Sequence, residues 1–194
     1  MKLYLVRHGE TDWNKEGRMQ GRKGVGLNEV GLEQVKMLGE ELKDKGLVFD
    51  VCYASPLKRA VETAEVLVGG KCEIVYDERL MERGFGVFEG RTMEEFWDSV
   101  GVNDIMDRRS NYSEKDLEPI KNVLERAKSF LDDIKKEYID DERVLVVSHG
   151  ALLRALHFEI VGYNDETNFH DFSFKNAEMR EYDIDSAKSL RKEK

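Results

Sequence analysis

Apolar positions along the chain fall into short compact runs separated by longer stretches with a helical period. Residues 2–7 form the first run, which stops at Arg7-His8-Gly9 and reads as a short strand. Residues 8–28 are rich in Gly, Asn and charge and read as a long structured loop. Over residues 29–45, Val35, Leu38 and Leu42 share one helical face, and Gly46 supplies the stop. A second strand is predicted over 48–54. Ser55-Pro56 then reads as the N-cap and first helical residue of a helix whose apolar face carries Ala60, Ala64 and Leu67. Residues 72–76 predict a third strand, and 79–91 a loop punctuated by glycine.

Residues 92–117 predict one short helix near 93–97 and then an irregular polar segment. The clearest helical period runs over 118–138, where Ile120, Val123, Leu124, Ala127, Phe130, Leu131, Ile134 and Tyr138 recur on one side. Residues 143–147 give the most buried-looking strand, and Ser148-His149-Gly150 turns into a helix reaching about residue 160. One or two further strands are expected within 172–184, followed by a polar tail over 186–194 that frays. Strands alternating with helices imply a three-layer α/β/α sandwich with a mostly parallel central sheet. No internal repeat interrupts residues 1–194, so a single domain is expected, with 92–117 as a variable cap segment.

Composition narrows the partners. A chain of 194 residues with 40% hydrophobic and 37% charged residues supports a full globular core. A formal net charge of −9 argues against nucleic acid and against an anionic membrane surface. A small anionic substrate stays compatible with that charge if cations are concentrated in one pocket. The apolar runs are far too short for a membrane span, and the first strand has too short an apolar core for a signal peptide, so a cytoplasmic protein is expected. Cys52 and Cys72 make neither a disulfide framework nor a zinc site, and read as small buried hydrophobes in a reducing compartment.

Candidate chemistry gathers at the strand ends, where open α/β sheets bind ligands. Arg7 and His8 directly follow the first strand, and Arg59 lies in the first turn after the second. Glu82 lies in the loop after the third, and His149 follows the strand at 143–147. A neutral imidazole is a competent nucleophile near pH 7. Two guanidinium groups can each hold phosphate oxygens, a second imidazole can donate to them, and a carboxyl of raised pKa can protonate a leaving oxygen. A helix opened by Ser55-Pro56 would add backbone donors. Each residue also has a plainer reading: Arg7 paired with Glu10, Arg59 on a solvated helix face, Glu82 as a surface carboxylate. His157 and His170 have no motif around them and read as structural. No Cys or carboxylate stands at ligand spacing beside His8 or His149, so no metal is expected.

Taken together, these segments resemble the histidine phosphatase superfamily, the phosphoglycerate-mutase-like fold. Leu5-Val6-Arg7-His8-Gly9-Glu10-Thr11 with Trp13-Asn14 and Gly17-Arg18-Met19-Gln20-Gly21 is similar to its first motif. Ser55-Pro56-Leu57-Lys58-Arg59-Ala60, Leu80-Met81-Glu82-Arg83 and Val147-Ser148-His149-Gly150 are similar to the next three, in the family's order. The resemblance implies that His8 is phosphorylated, that Arg7, Arg59 and His149 hold the phosphoryl group, and that Glu82 is proton donor and then base. It implies that Asn14, Gln20 and Gly21 touch phosphate or substrate, and that the chemistry uses no metal or cofactor.

The family holds both phosphatases and cofactor-dependent phosphoglycerate mutases. The compact stretch between the third and fourth motifs favours a phosphatase acting on a small phosphorylated metabolite. Arg83, which in mutases helps hold the substrate carboxylate, and the pair Arg108-Arg109 point the other way. The Pro-rich stretch expected after that pair is absent, with Asn111-Tyr112-Ser113-Glu114 in its place. A phosphate-binding module without turnover is a third alternative, and a homodimer is compatible with all three. Phe85, Phe88, Phe96, Trp97 and Tyr112 are candidates to contact an organic leaving group or to pack a lid.

Overall fold

The computed structural model describes residues 1–99, 116–138, 141–164 and 166–184, apart from the side chain of His170. Arg108-Arg109, Tyr112, most of the cap segment and the tail from 186 lie outside the described residues.

Among the described residues five strands form one sheet in the order β3-β2-β4-β1-β5. Strand β1 (Lys2–Arg7) pairs in parallel with β4 (Arg143–Ser148), β4 with β2 (Val51–Ala54), and β2 with β3 (Glu73–Tyr76). Only β5 (Met179–Asp183) is antiparallel, at the edge beside β1. Because β1 and β4 are covered on both faces, every position in them favours an apolar residue, and this explains their uninterrupted apolar runs.

Successive side chains alternate between two cores. On one face Tyr4, Val6, Cys52, Ala54, Leu145 and Val147 pack against helix α2 (Glu29–Asp44) and helix α3 (Lys58–Val68). Those helices contribute the predicted stripes Val35, Leu38 and Leu42, and Ala60, Ala64 and Leu67. On the other face Leu3, Leu5, Val51, Tyr53, Val144 and Val146 pack against helix α5 (Ile120–Glu137) and helix α6 (Gly150–Val161). Phe130 of α5 is fully buried there, and removing such a ring costs about 3–5 kcal/mol. Two further short helices are described, α1 (Asp12–Lys15) and α4 (Met93–Ser99).

Several expectations change. The loop at 8–28 contains α1, closed by a reciprocal cap: Asn14 N–H donates to Thr11 Oγ1, and Thr11 N–H to Asn14 Oδ1. The second strand starts at Val51 rather than residue 48, because Asp50 turns its carboxylate to the Arg143 N–H at 2.7 Å. Ser55-Pro56 does not open α3. The chain stays extended through Leu57 (φ −73°, ψ 133°) and the helix begins at Lys58 with no side-chain cap. The Ser55 hydroxyl accepts the Leu57 N–H ahead of the helix at 3.3 Å and also meets His149 Nε2, 2.7 Å away. Residues 172–184 hold one described strand, β5, and Cys72 is half-buried while Cys52 is fully buried.

Candidate active site

The carboxyl ends of β1, β2 and β4 lie side by side, and the site is assembled there. Arg7 pairs with Ser148 in register, and His8 N–H donates to Ser148 O at 3.1 Å. Ser148 Oγ donates to Leu80 O at 2.7 Å, which ties the end of β4 to the loop carrying Glu82. The loop after β1 lies directly on α2. A Cβ on Gly9 would come within 2.5 Å of Gly31 O, and a Cβ on Gly31 within 2.0 Å of Glu10 O, so neither position has room for a side chain. Asn28 N–H donates to Glu10 O at 3.0 Å and Asn28 Nδ2 to the Glu10 carboxylate at 3.0 Å. Arg7 turns away from Glu10 and gives Nη1 to Phe174 O at 2.6 Å.

His8 is buried, and its Nδ1 lies 2.7 Å from Gly9 O. A carbonyl only accepts, so Nδ1 carries the proton and Nε2 keeps its lone pair. Arg59 Nε donates to that Nε2 at 3.2 Å. Burial first, and then the charges of Arg59 and Arg7, hold the imidazole well below its ordinary pKa, so it is neutral at pH 7. Arg59 is itself fully buried, with Nη1 on Lys23 O at 3.0 Å and Nη2 on Gly21 O at 2.8 Å. Burial pushes its pKa down to about 10, which leaves it cationic at neutral pH.

The His149 ring centroid is 5.2 Å from that of His8. Its Nε2 meets Ser55 Oγ, and its Nδ1 is buried without a hydrogen-bond partner. Burial first, then Arg59 and His8, keep this imidazole neutral as well. His149 is fully buried beside His8 and is not among the residues that line the cavity. Glu82 Oε1 accepts the Arg83 N–H at 2.9 Å and the Ala151 N–H, at the start of α6, at 3.1 Å. A Cβ on Gly150 would lie 3.7 Å from Glu82 Oε2 and 3.9 Å from Arg7 Cζ, so carboxylate and guanidinium flank a bare helix start. Arg7 Nε, like His149 Nδ1, is buried without a partner.

Above these groups opens a cavity of about 370 Å³. Arg7, His8, Arg59 and Glu82 line it, as do the four residues expected on the substrate side, Asn14, Gln20, Gly21 and Arg83. Gly21 has φ +51°, and a Cβ there would meet Glu89 Oε1 at 2.0 Å. Arg83 is buried, gives Nε to Glu118 O at 2.7 Å, and has its pKa pushed down to about 10 by burial. The remaining wall is largely aromatic and aliphatic, including Trp13, Phe85, Met93, Phe96, Trp97 and Phe169. Phe88 is buried beneath Phe96 and does not reach the cavity. Among the described residues no group of three or more His, Cys, Asp or Glu side chains is placed to hold a metal ion, and no helix is long and apolar enough to cross a membrane.

Sequence reasoning missed Arg154, which lines the cavity and gives Nε to Phe172 O at 2.7 Å. Its signal was available, because it lies four residues after Gly150 in a helix that starts at the site, hence on the same face. It also missed Asn176, whose Nδ2 donates to His8 O at 3.1 Å across 168 positions of sequence, and no local pattern marks that residue.

A model of the histidine phosphatase superfamily (branch 1) matches residues 3–191. The chain is 34% identical over 168 residues to the 2,3-bisphosphoglycerate-dependent phosphoglycerate mutase of Parvibaculum lavamentivorans, covering 81% of this chain and 79% of that protein. It is 33% identical over 180 residues to phosphoserine phosphatase 1 of Hydrogenobacter thermophilus, covering 91% and 83%. Its fold is similar to a crystal structure of a phosphoserine phosphatase mutant from Entamoeba histolytica in complex with phosphoserine, with TM-score 0.78 and 28% identity over 93% of this chain and 89% of that one.

Proposed function

From the premise that this chain belongs to the histidine phosphatase superfamily, we propose that it is a metal-independent phosphatase that hydrolyses small phosphate monoesters through a phosphohistidine on His8. The observation that carries this reading is the state of His8: a buried neutral ring whose proton is held on Nδ1 by Gly9 O, leaving Nε2 beside Arg59 at the base of the cavity.

In the first step His8 Nε2 attacks phosphorus in line and the ester P–O bond breaks. The protonated Glu82 carboxyl gives its proton to the departing alkoxide. In the second step the Glu82 carboxylate takes a proton from water, the water oxygen attacks phosphorus, and the N–P bond breaks to release phosphate and restore His8. Arg7 and Arg59 neutralise the charge on the transferring group throughout. The Ser55 hydroxyl accepts the Leu57 N–H at 3.3 Å and keeps its own hydrogen available for His149 Nε2, 2.7 Å away. With that hydrogen given to Nε2, the proton of His149 resides on Nδ1, which has no partner. A buried donor left unmade costs about 1–3 kcal/mol, a cost that a phosphoryl oxygen drawn into the site would relieve.

The mostly apolar outer wall supports water as the acceptor and an organic leaving group, with Asn14, Gln20, Gly21 and Arg83 touching substrate. The mutase reading keeps a specific support, since Arg83 lines the cavity and the Parvibaculum relative is a mutase. Two assays separate them. His8→Ala is expected to cut p-nitrophenyl phosphate hydrolysis by several orders of magnitude, and near-normal activity of that variant would end the nucleophile assignment. Incubation with 3-phosphoglycerate and catalytic 2,3-bisphosphoglycerate is expected to release phosphate; rapid formation of 2-phosphoglycerate with little free phosphate would establish the mutase instead.

A further inference from the structure

Three consecutive backbone carbonyls ahead of β5 each accept a hydrogen bond from an arginine. Phe172 O takes Arg154 Nε at 2.7 Å, Ser173 O takes Arg180 Nη2 at 3.1 Å, and Phe174 O takes Arg7 Nη1 at 2.6 Å. Arg7 and Arg154 both line the cavity. A guanidinium is a rigid planar fork, so giving one N–H to a fixed carbonyl aims the others. One short stretch of peptide therefore orients two of the cations that line the cavity.

That stretch is clamped from outside the cavity. The Phe172 ring stacks on the His157 imidazole, with centroids 3.4 Å apart and planes within 3°. The Arg180 guanidinium lies 4.3 Å from the Phe172 centroid and 5.0 Å from that of Phe174. His157 Nδ1 lies 2.8 Å from the Tyr182 hydroxyl, and Arg180 Nε donates to the Glu178 carboxylate at 2.6 Å. The next residues reach the nucleophile. Asn176 Nδ2 donates to His8 O, and Ala177 N–H lies within 3.1 Å of Arg7 O and 3.2 Å of His8 O. Ala177 has φ +54°, a left-handed conformation that a non-glycine residue holds only when its surroundings impose it.

We propose that residues 172–177 form a positioning strap for phosphoryl transfer, setting Arg7, Arg154 and His8 against one another, and that Arg180 is the positioning residue that locks it. The proposal rests on the phosphoryl-transfer reading of the cavity. It gives roles to His157 and Arg180, neither of which lines that cavity, and it acts through the backbone oxygens of residues 172–174, of which Ser173 and Phe174 also line the cavity.

The test uses the full chain with Arg180→Met, which keeps the aliphatic stem and removes the fork, and with Phe172→Leu, which removes the stacked ring while leaving the backbone. Three quantities are read for each protein: the melting temperature, kcat/KM for p-nitrophenyl phosphate, and the Kd of inorganic phosphate by titration calorimetry. The expected result is a melting temperature within a few degrees of wild type in at least one variant, together with about a tenfold loss in kcat/KM and about a tenfold weaker phosphate Kd, the scale of one charge-assisted hydrogen bond misaligned. A role in fold stability alone would move the melting temperature and leave the other two readings at wild-type values, and that outcome overturns the strap. A wild-type protein that neither turns over p-nitrophenyl phosphate nor binds phosphate would instead overturn the parent reading, and the strap with it.

Discussion

Two glycines in one helix make opposite predictions. Gly31 and Gly39 both lie in α2, and by helix propensity alone each replacement by alanine gains up to about 1 kcal/mol. At Gly39 a new Cβ would meet only Leu67 Cδ2, at 4.0 Å, so Gly39→Ala is expected to realise that gain and raise the melting temperature by roughly 2–4 °C. At Gly31 the new Cβ would stand 2.0 Å from Glu10 O and 2.5 Å from Glu10 N, both backbone atoms that no rotamer change can move aside. Restoring ordinary carbon contact of about 3.5 Å requires the loop to retreat by roughly 1.5 Å. That loop includes Gly9, the neighbour of His8, and is pinned by the Asn28 N–H to Glu10 O bond and by Gly9 N–H to Thr63 Oγ1 at 3.2 Å. Overpacking of this kind costs about 1–3 kcal/mol, which outweighs the propensity gain. Displacing a nucleophile by about 1 Å can cost on the order of a hundredfold in rate. Gly31→Ala is therefore expected to melt several degrees below wild type and to lose roughly ten- to a hundredfold in kcat/KM for p-nitrophenyl phosphate. Thermal unfolding and steady-state hydrolysis, run on both variants beside wild type, check this. If Gly31→Ala gains stability as Gly39→Ala does and keeps full turnover, the claim that α2 sets the position of His8 is wrong.

Acid stability offers a second check. The unfolded chain protonates His8 below about pH 6.5, whereas burial keeps the folded ring neutral well below that value. The unfolded state thus binds more protons, and stability that is fully present above pH 6.5 is lost as pH falls. In urea unfolding between pH 6 and 5, the stability of His8→Asn is expected to fall less steeply with decreasing pH than that of wild type, and parallel curves would refute the buried neutral state. Glu118→Ala is expected to destabilise by about 3–5 kcal/mol, because the carboxylate receives Arg126 Nε at 3.0 Å, Arg22 Nη2 at 3.2 Å and the Gly84 N–H at 2.9 Å. A loss below about 1 kcal/mol in chemical denaturation would place that network among ordinary surface ion pairs. Ser55→Ala removes the hydroxyl beside His149 Nε2, with an expected stability loss of about 1–3 kcal/mol and a fall in turnover. Unchanged kcat with that variant would show that the hydroxyl does not set the tautomer of His149.

Local pattern determined much of this protein. The apolar runs at β1 and β4 were legible because a strand covered on both faces is apolar at every position. The stripes of α2, α3 and α5 were legible because a helix with one buried face repeats every 3.6 residues. Arg7, His8, Arg59 and Glu82, which line one cavity, were legible because each sits in a contiguous segment just past a strand, a relation that counting along the chain preserves. What the tertiary structure alone decided depends on partners far apart in sequence. Ser55 has the letters of a helix cap, yet its hydroxyl also meets a ring 94 positions away, and α3 starts only at Lys58. The sheet order, the carbonyls of residues 172–174 and the reach of Asn176 to His8 have no local signature. A backbone oxygen is the same in every residue, and only folding determines which arginine it faces.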